Sequence, residues 1–267
     1  MIRTPAVAGQ FYPGQENELR RMLDDLLPSD MDRKTSLGVM SPHAGYMFSG
    51  QVAGQTLAGT ALPHQVVILG PNHHGAGHPA AVYQRGAWRT PLGDVPIAEN
   101  LADRILEECL ETGADTAAHR FEHSLEVQVP FLQVLVPEVE IVPICISRLP
   151  LTALLALGNG LARVLRDLDE RPLLLASSDM THFESGESAR RKDFLAIERI
   201  LDLDPEGLYE TVTSNHISMC GVFPTVVMLQ AARSLGASKA ELVEYSNSGD
   251  VTGDQSDVVG YAGVRVF

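Results

Sequence analysis

Histidines in short polar segments are the residues best suited to chemistry in this sequence. Nine occur, and five of them, His43, His73, His74, His123 and His182, stand among Gly, Ser and Asp beside apolar runs. Imidazole is the commonest transition-metal ligand, and a site built from separate loops needs each ring held by a turn, which Gly45, Gly70 and Gly75 can supply. Taken alone, each His reads first as a helix cap or as the partner of a backbone carbonyl. Three such loops following three apolar runs shift the reading toward a site. His64, His78 and His216 lack comparable settings and read as surface or structural.

Cys220, in HISMCGVFPTVVML, stands directly before an apolar run of helical length. The positive end of a helix there would stabilise thiolate and make the sulfur a ligand or a nucleophile. The alternative is a small buried hydrophobe, which is how Cys109 and Cys145 read. In FEHSLEVQVPFL, Glu122, His123 and Glu126 surround Ser124, a candidate N-cap. Such a group either orients a proton shuttle, braces the ligands of a metal, or is a solvated helix start. In SSDMTHFE, Asp179 and His182 lie three apart, so on a helical turn the carboxylate would orient the imidazole or both would face one cavity.

These residues need elements to position them. Short apolar runs alternate with amphipathic stretches along the chain, the pattern of an α/β layered domain. Strands are predicted at Leu37–Met40, Gln65–Leu69, Glu140–Ile146, Pro172–Ala176, Glu241–Tyr245 and Val258–Phe267. Helices are predicted around Glu16–Leu27, Gly50–Gly59, Ala98–Thr112, Ser124–Val136, Leu151–Leu168, Gly186–Leu201, Pro205–Val212 and Cys220–Leu235, with a kink or early break at Pro130. Three strands run into SPHAGYMFSG, GPNHHGAGH and SSDMTHFESG. Loops at the carboxyl ends of strands line the ligand crevice of open α/β sheets, so these three segments can meet there.

With 267 residues, no internal repeat and no linker-like stretch, one domain is the simplest account. A formal net charge of −14 repels polyanions and so disfavours nucleic acid and anionic lipid as partners. Three widely spaced cysteines make neither a disulfide framework nor a zinc-finger array. No signal peptide is visible, and no window reaches the roughly eighteen uninterrupted apolar residues of a membrane span. The expectation is a cytoplasmic protein.

The segments SPHAGY, ILGPNHHG, TPLGDV, EHSLEVQVPFL, SSDMTHF and ISMCGVFP, in this order, resemble the Memo family (mediator of ErbB2-driven cell motility). Its prokaryotic members are called system protein B of the AmmeMemoRadiSam set. The likeness runs from AGQFYPG to the final strand. It implies a central mostly parallel or mixed sheet flanked by helices, the fold of class III extradiol dioxygenases. It also implies that His43, His73 and Cys220 are metal ligands and that His182, Asp179 and His123 line the same pocket. In the dioxygenases the third ligand is a carboxylate; here the matching segment has Cys220 and no nearby Asp or Glu. Thiolate is softer, so the ion is expected to be iron or copper, with zinc as an alternative, and ring-opening chemistry does not transfer with the fold.

Three functions follow from this resemblance. The first is redox chemistry on a small aromatic or heterocyclic ligand in the metal pocket, with His182 or His123 as general acid/base and Asp179 fixing the imidazole tautomer. The second is a non-catalytic binding module acting through protein partners; the family name implies AMMECR1-type and radical SAM proteins. The third is metal-assisted hydrolysis.

Overall fold

The runs GVMS, QVVILGP, EIVPICI and LLLAS are apolar almost throughout and buried almost throughout, as parallel strands covered on both faces are. In the computed structural model, which describes residues 1–267, they form the centre of a large mixed sheet. The strands in chain order are β1 (Ile2–Arg3), β2 (Gly38–Ser41), β3 (Gln65–Pro71), β4 (Ala80–Val82), β5 (Ala87–Thr90), β6 (Gly93–Pro96), β7 (Gly113–Ala114), β8 (Glu140–Ile146), β9 (Leu173–Ser177), β10 (His182–Glu184), β11 (Ala240–Asn247) and β12 (Val258–Val266). The parallel centre has the order β2-β9-β3-β8. On one side β12 joins antiparallel to β2, and β11 and β10 pair with β12. On the other, β4 runs antiparallel to β8 and β7 parallel to β4. β1, β5 and β6 make a separate small sheet.

The helices are α1 (Glu16–Leu26), α2 (Tyr46–Ala58), α3 (Glu99–Glu108), α4 (Val129–Leu135), α5 (Leu151–Arg166), α6 (Gly186–Leu201), α7 (Pro205–Ser214), α8 (Val222–Ser234) and α9 (Ser248–Thr252). α8 packs on β9, β3 and β2 with α5 against it, and α2 packs on β2, β11 and β12. The chain is thus one α/β domain with helices flanking a mixed sheet, as the alternation of its apolar runs predicts. No helix is long and apolar enough to cross a membrane.

Register places the site. Ser41 pairs with Ser177 and Leu69 with Ala176, so β2, β9 and β3 finish at the same edge of the sheet. His43, His73 and Asp179 each follow two residues after the end of their strand.

Some local expectations are corrected. The Gly50–Gly59 helix begins at Tyr46, because Gly50 and Gly54 are sites of close approach to Leu26 and not breaks; a Cβ at Gly54 would collide with the Leu26 carbonyl. The predicted Ser124–Val136 helix is broken beside Pro130, as one of the two expectations has it: a 3-10 turn, Glu126–Gln128, precedes α4, and Pro130 sits in the first turn of α4, where its missing N–H has no helical partner to lose. Ser124 caps nothing: its Oγ donates to the Pro71 carbonyl at 3.1 Å. Asp179 and His182 share no helical turn, since His182 opens β10, pairs with Val259 and donates its N–H to Ser218 Oγ at 2.8 Å.

Candidate metal centre

Three imidazoles from three separate segments converge at the sheet edge. Donor atoms of His43, His73 and His123 all lie within 4.8 Å of one another. The His43 ring is edge-on to the other two at 5.5 Å between centroids, and those of His73 and His123 stack at 4.6 Å.

The bonds around two of the rings fix which nitrogen is free. Ser177 Oγ donates to the Ser124 carbonyl at 2.7 Å and accepts from Gln128 Nε2 at 2.8 Å. Its remaining lone pair accepts from His43 Nδ1 at 2.9 Å, because a hydroxyl has one proton to give. His43 is therefore the Nδ1–H tautomer, with the Nε2 lone pair turned toward the Cys220 sulfur at 3.2 Å. His73 Nδ1 donates to Glu122 Oε1 at 2.8 Å, and its backbone N–H to Glu122 Oε2 at 2.7 Å, leaving its Nε2 without a protein partner. The same carboxylate accepts the N–H groups of His123 and Ser124 at 3.0 Å each. A ring held through Nδ1 by a carboxylate or hydroxyl, with Nε2 bare, is the arrangement a metal-binding imidazole takes. The donor set fits a transition-metal ion.

Cys220 stands two residues before α8, near its N-terminus as the sequence predicts. Its Sγ is 3.2 Å from His43 Nε2 and accepts the Asp179 N–H at 3.3 Å. The sulfur therefore sits beside His43, while His123 is the residue grouped with His43 and His73. Asp179 receives the His43 backbone N–H on Oδ1 at 2.7 Å and so holds the loop, not the ring, of His43. His182 is oriented by carbonyls: its Nδ1 lies 2.7 Å from Met180 O and 3.0 Å from Ser218 O. A carboxylate does not fix its tautomer; these carbonyls do, and its Nε2 is left free. His74 is exposed, with Nε2 3.0 Å from the Phe121 carbonyl.

Electrostatics separate the groups. Burial holds His43 well below the ordinary imidazole range, with the neighbouring imidazoles adding to it, so it is neutral as a ligand must be. Burial likewise brings His123 down to about 4 against the pull of Glu122. Burial pulls His73 down, but the hydrogen bond and charge of Glu122 outweigh it and hold it above its usual value. Glu122 is pushed up by burial and then held well below the carboxylate range, chiefly by His73. Burial raises Asp179 to about 6. Burial and the Asp179 charge push the Cys220 thiol well above its ordinary value, opposite to the thiolate expected from the helix end alone.

Sequence reasoning did not single out Ser177, Gln128 or Arg3. The only signal for Ser177 is a hydroxyl closing an otherwise apolar strand, LLLAS. Gln128 donates to Pro42 O at 2.9 Å as well as to Ser177, tying the His43 loop to the His123 segment.

The sequence has counterparts in other chains. A family model described as Memo-like protein matches residues 3–265. A MEMO1 family protein of Methanopyrus kandleri is 45% identical over 278 aligned positions, covering 99% of this chain and 98% of the relative. MEMO1 family proteins of Methanosarcina mazei and Aquifex aeolicus are each 42% identical, covering 99% and 98% of this chain and the same shares of their own lengths.

Proposed function

The chain belongs to the Memo-like protein family, and on that premise we propose that it is a metal-binding protein that holds iron or copper at the His43–His73–His123 edge of its sheet and performs redox chemistry on a small aromatic or heterocyclic ligand. The convergence of three imidazole donors within 4.8 Å carries this reading. His43 supplies a neutral Nε2 donor, His73 supplies its Nε2 once an ion displaces the proton that Glu122 favours, and His123 or the neighbouring Cys220 completes the set. An ion held this way supplies a Lewis-acidic, redox-active centre.

The chain's own residues do the rest. Glu122 and Ser177 hold the two rings through Nδ1 and leave Nε2 as the nitrogen that would meet an ion. Asp179, raised to about 6, is able to take up or release a proton near neutral pH. His182, clamped at Nδ1, presents Nε2 as the second group for proton transfer. Three free cysteines fit a reducing cytoplasm, and AMMECR1-type and radical SAM proteins are the partners the resemblance proposes.

Elemental analysis of protein purified without a His tag or chelator, with spectra taken anaerobically and in air, tests the reading. Iron or copper in stoichiometric amount, lost in His43→Ala, is expected. Zinc alone at full occupancy would replace redox chemistry with hydrolysis, and no retained ion would remove the metal reading. A second reading, a binding module acting through partners, draws on Met47, Phe121 and Phe183. These apolar side chains stand next to the site segments and are 65%, 62% and 79% exposed. Metal-independent capture of a partner by wild type but not by Phe183→Ala would favour it.

A further inference from the structure

The Glu126 carboxylate is buried and serves none of the imidazoles. It accepts Arg3 Nη1 at 2.7 Å, the Ala6 N–H at 2.7 Å, the Val7 N–H at 3.1 Å and the Tyr12 hydroxyl at 2.7 Å. All of these donors belong to the N-terminal segment. Arg3 spends its other N–H groups on the His119 carbonyl and the Glu122 carbonyl, both at 2.7 Å, and its guanidinium lies 4.2 Å from the Trp88 ring centroid. A planar fork of donors is what such multi-point bridging requires; an ammonium cannot reproduce it. Further along the same segment, Phe11 sets its ring 4.8 Å from that of His123 and accepts the Tyr46 N–H on its carbonyl at 2.7 Å. Tyr46 opens α2, directly behind the His43 loop.

We infer that Arg3 and Glu126 are positioning residues of the metal centre: they clamp the N-terminal segment across residues 119–126 and thereby fix the backbone of Glu122, the ring of His123 and, through Glu122, the ring of His73. The inference rests on the metal reading of the site. Terminal segments ordinarily fray unless tied down. An ion pair this buried is a poor source of net stability, because the cost of desolvating both charges offsets their attraction. Its geometric effect is definite. Arg3 fixes the Glu122 carbonyl, and the Glu122 carboxylate receives both the ring and the backbone of His73. The N-terminal segment thus touches the His123 ring through Phe11 and reaches the His73 ring through Arg3 and Glu122, while contributing no ligand of its own.

Cobalt(II) chloride titrated into the metal-free full chain, followed by visible absorbance, tests this. Glu126→Gln is expected to lose roughly tenfold or more in cobalt affinity, the loss typical of removing a group that orients a ligand, with a changed band shape. A remote core variant, Leu161→Ala in α5, is compared at temperatures that match the folded fraction and is expected to keep wild-type affinity and spectrum. Wild-type affinity and spectrum in folded Glu126→Gln would overturn the inference, as would an equal loss in Leu161→Ala. Should Glu126→Gln not fold, Tyr12→Phe decides. It keeps the ion pair and removes one donor, and is expected to shift the His123 ring signals in proton–nitrogen spectra of the metal-free chain; unchanged signals overturn the proposal. Wild type that takes up no cobalt would overturn the metal reading instead, and the His123 ring signals would still decide the positioning role.

Discussion

At the scale of single residues, Glu122 orders the His43–His73–His123 cluster without being part of it. It holds the His73 ring and the His123 and Ser124 amides with one buried carboxylate. Glu122→Gln keeps the shape but removes the charge, and is expected to weaken metal binding about 10–100-fold with the ligands all present; a competition titration against a chelator measures it. His182 stands differently. Backbone carbonyls hold its Nδ1, and it lies outside the three-imidazole cluster, so His182→Ala is expected to leave metal content near wild type and abolish turnover or small-ligand binding. Metal analysis of His182→Ala beside His43→Ala checks this: a matching fall in the two variants would make His182 a ligand. The His43 and His73 positions were legible from Gly-containing loops after apolar runs. The division of labour between Glu122 and Glu126 was not, because both flank Ser124 in the same short segment and only the tertiary fold sends one to His73 and the other to Arg3.

At the scale of elements, α2 carries the chain away from the His43 loop and is seated through glycine. Gly54 touches the Leu26 backbone carbonyl with no room for a Cβ. Gly54→Ala would gain about 1 kcal/mol of intrinsic helix preference, yet it forces α1 from α2. The net expectation is a loss of about 1–3 kcal/mol, read as a lower urea midpoint. The long strands and helices were readable: Glu140–Ile146 and Gly186–Leu201 fall where the apolar pattern puts them. The two- to four-residue strands β1, β4, β5, β6, β7 and β10 were not, because their pairing is set by neighbours distant in sequence and not by any period of their own. His182 illustrates this: an i,i+3 spacing with Asp179 suggests a helical turn, but pairing with Val259 makes the residue part of a strand.

At the scale of the whole molecule, burial of neutral imidazole makes folding sensitive to acid. His119 is fully buried against Trp88 and Tyr83, with Nε2 3.0 Å from the Ala81 carbonyl, and burial brings its pKa from 6.5 down to about 4. The unfolded chain binds a proton below pH 6.5 that the folded chain refuses, so this stability is complete above 6.5 and lost as pH falls through about 4. At about 1.4 kcal/mol per pH unit, the loss is on the order of 3 kcal/mol. Asp179, raised to about 6, works in the opposite sense between pH 3.8 and 6, and a comparison with His119→Gln cancels it. Urea midpoints of the variant are expected to fall less than those of wild type between pH 6.5 and 4; parallel curves would refute the assignment. The order of strands has a further consequence during synthesis. β2, whose end leads to His43, is flanked by β9 and β12, and β12 is made long after β2. Until residues 258–266 clear the ribosome, one edge of β2 has no partner, an open template of the kind that draws nascent chains into aggregates. The His43 loop is therefore anchored on both sides of its strand only after this last pairing.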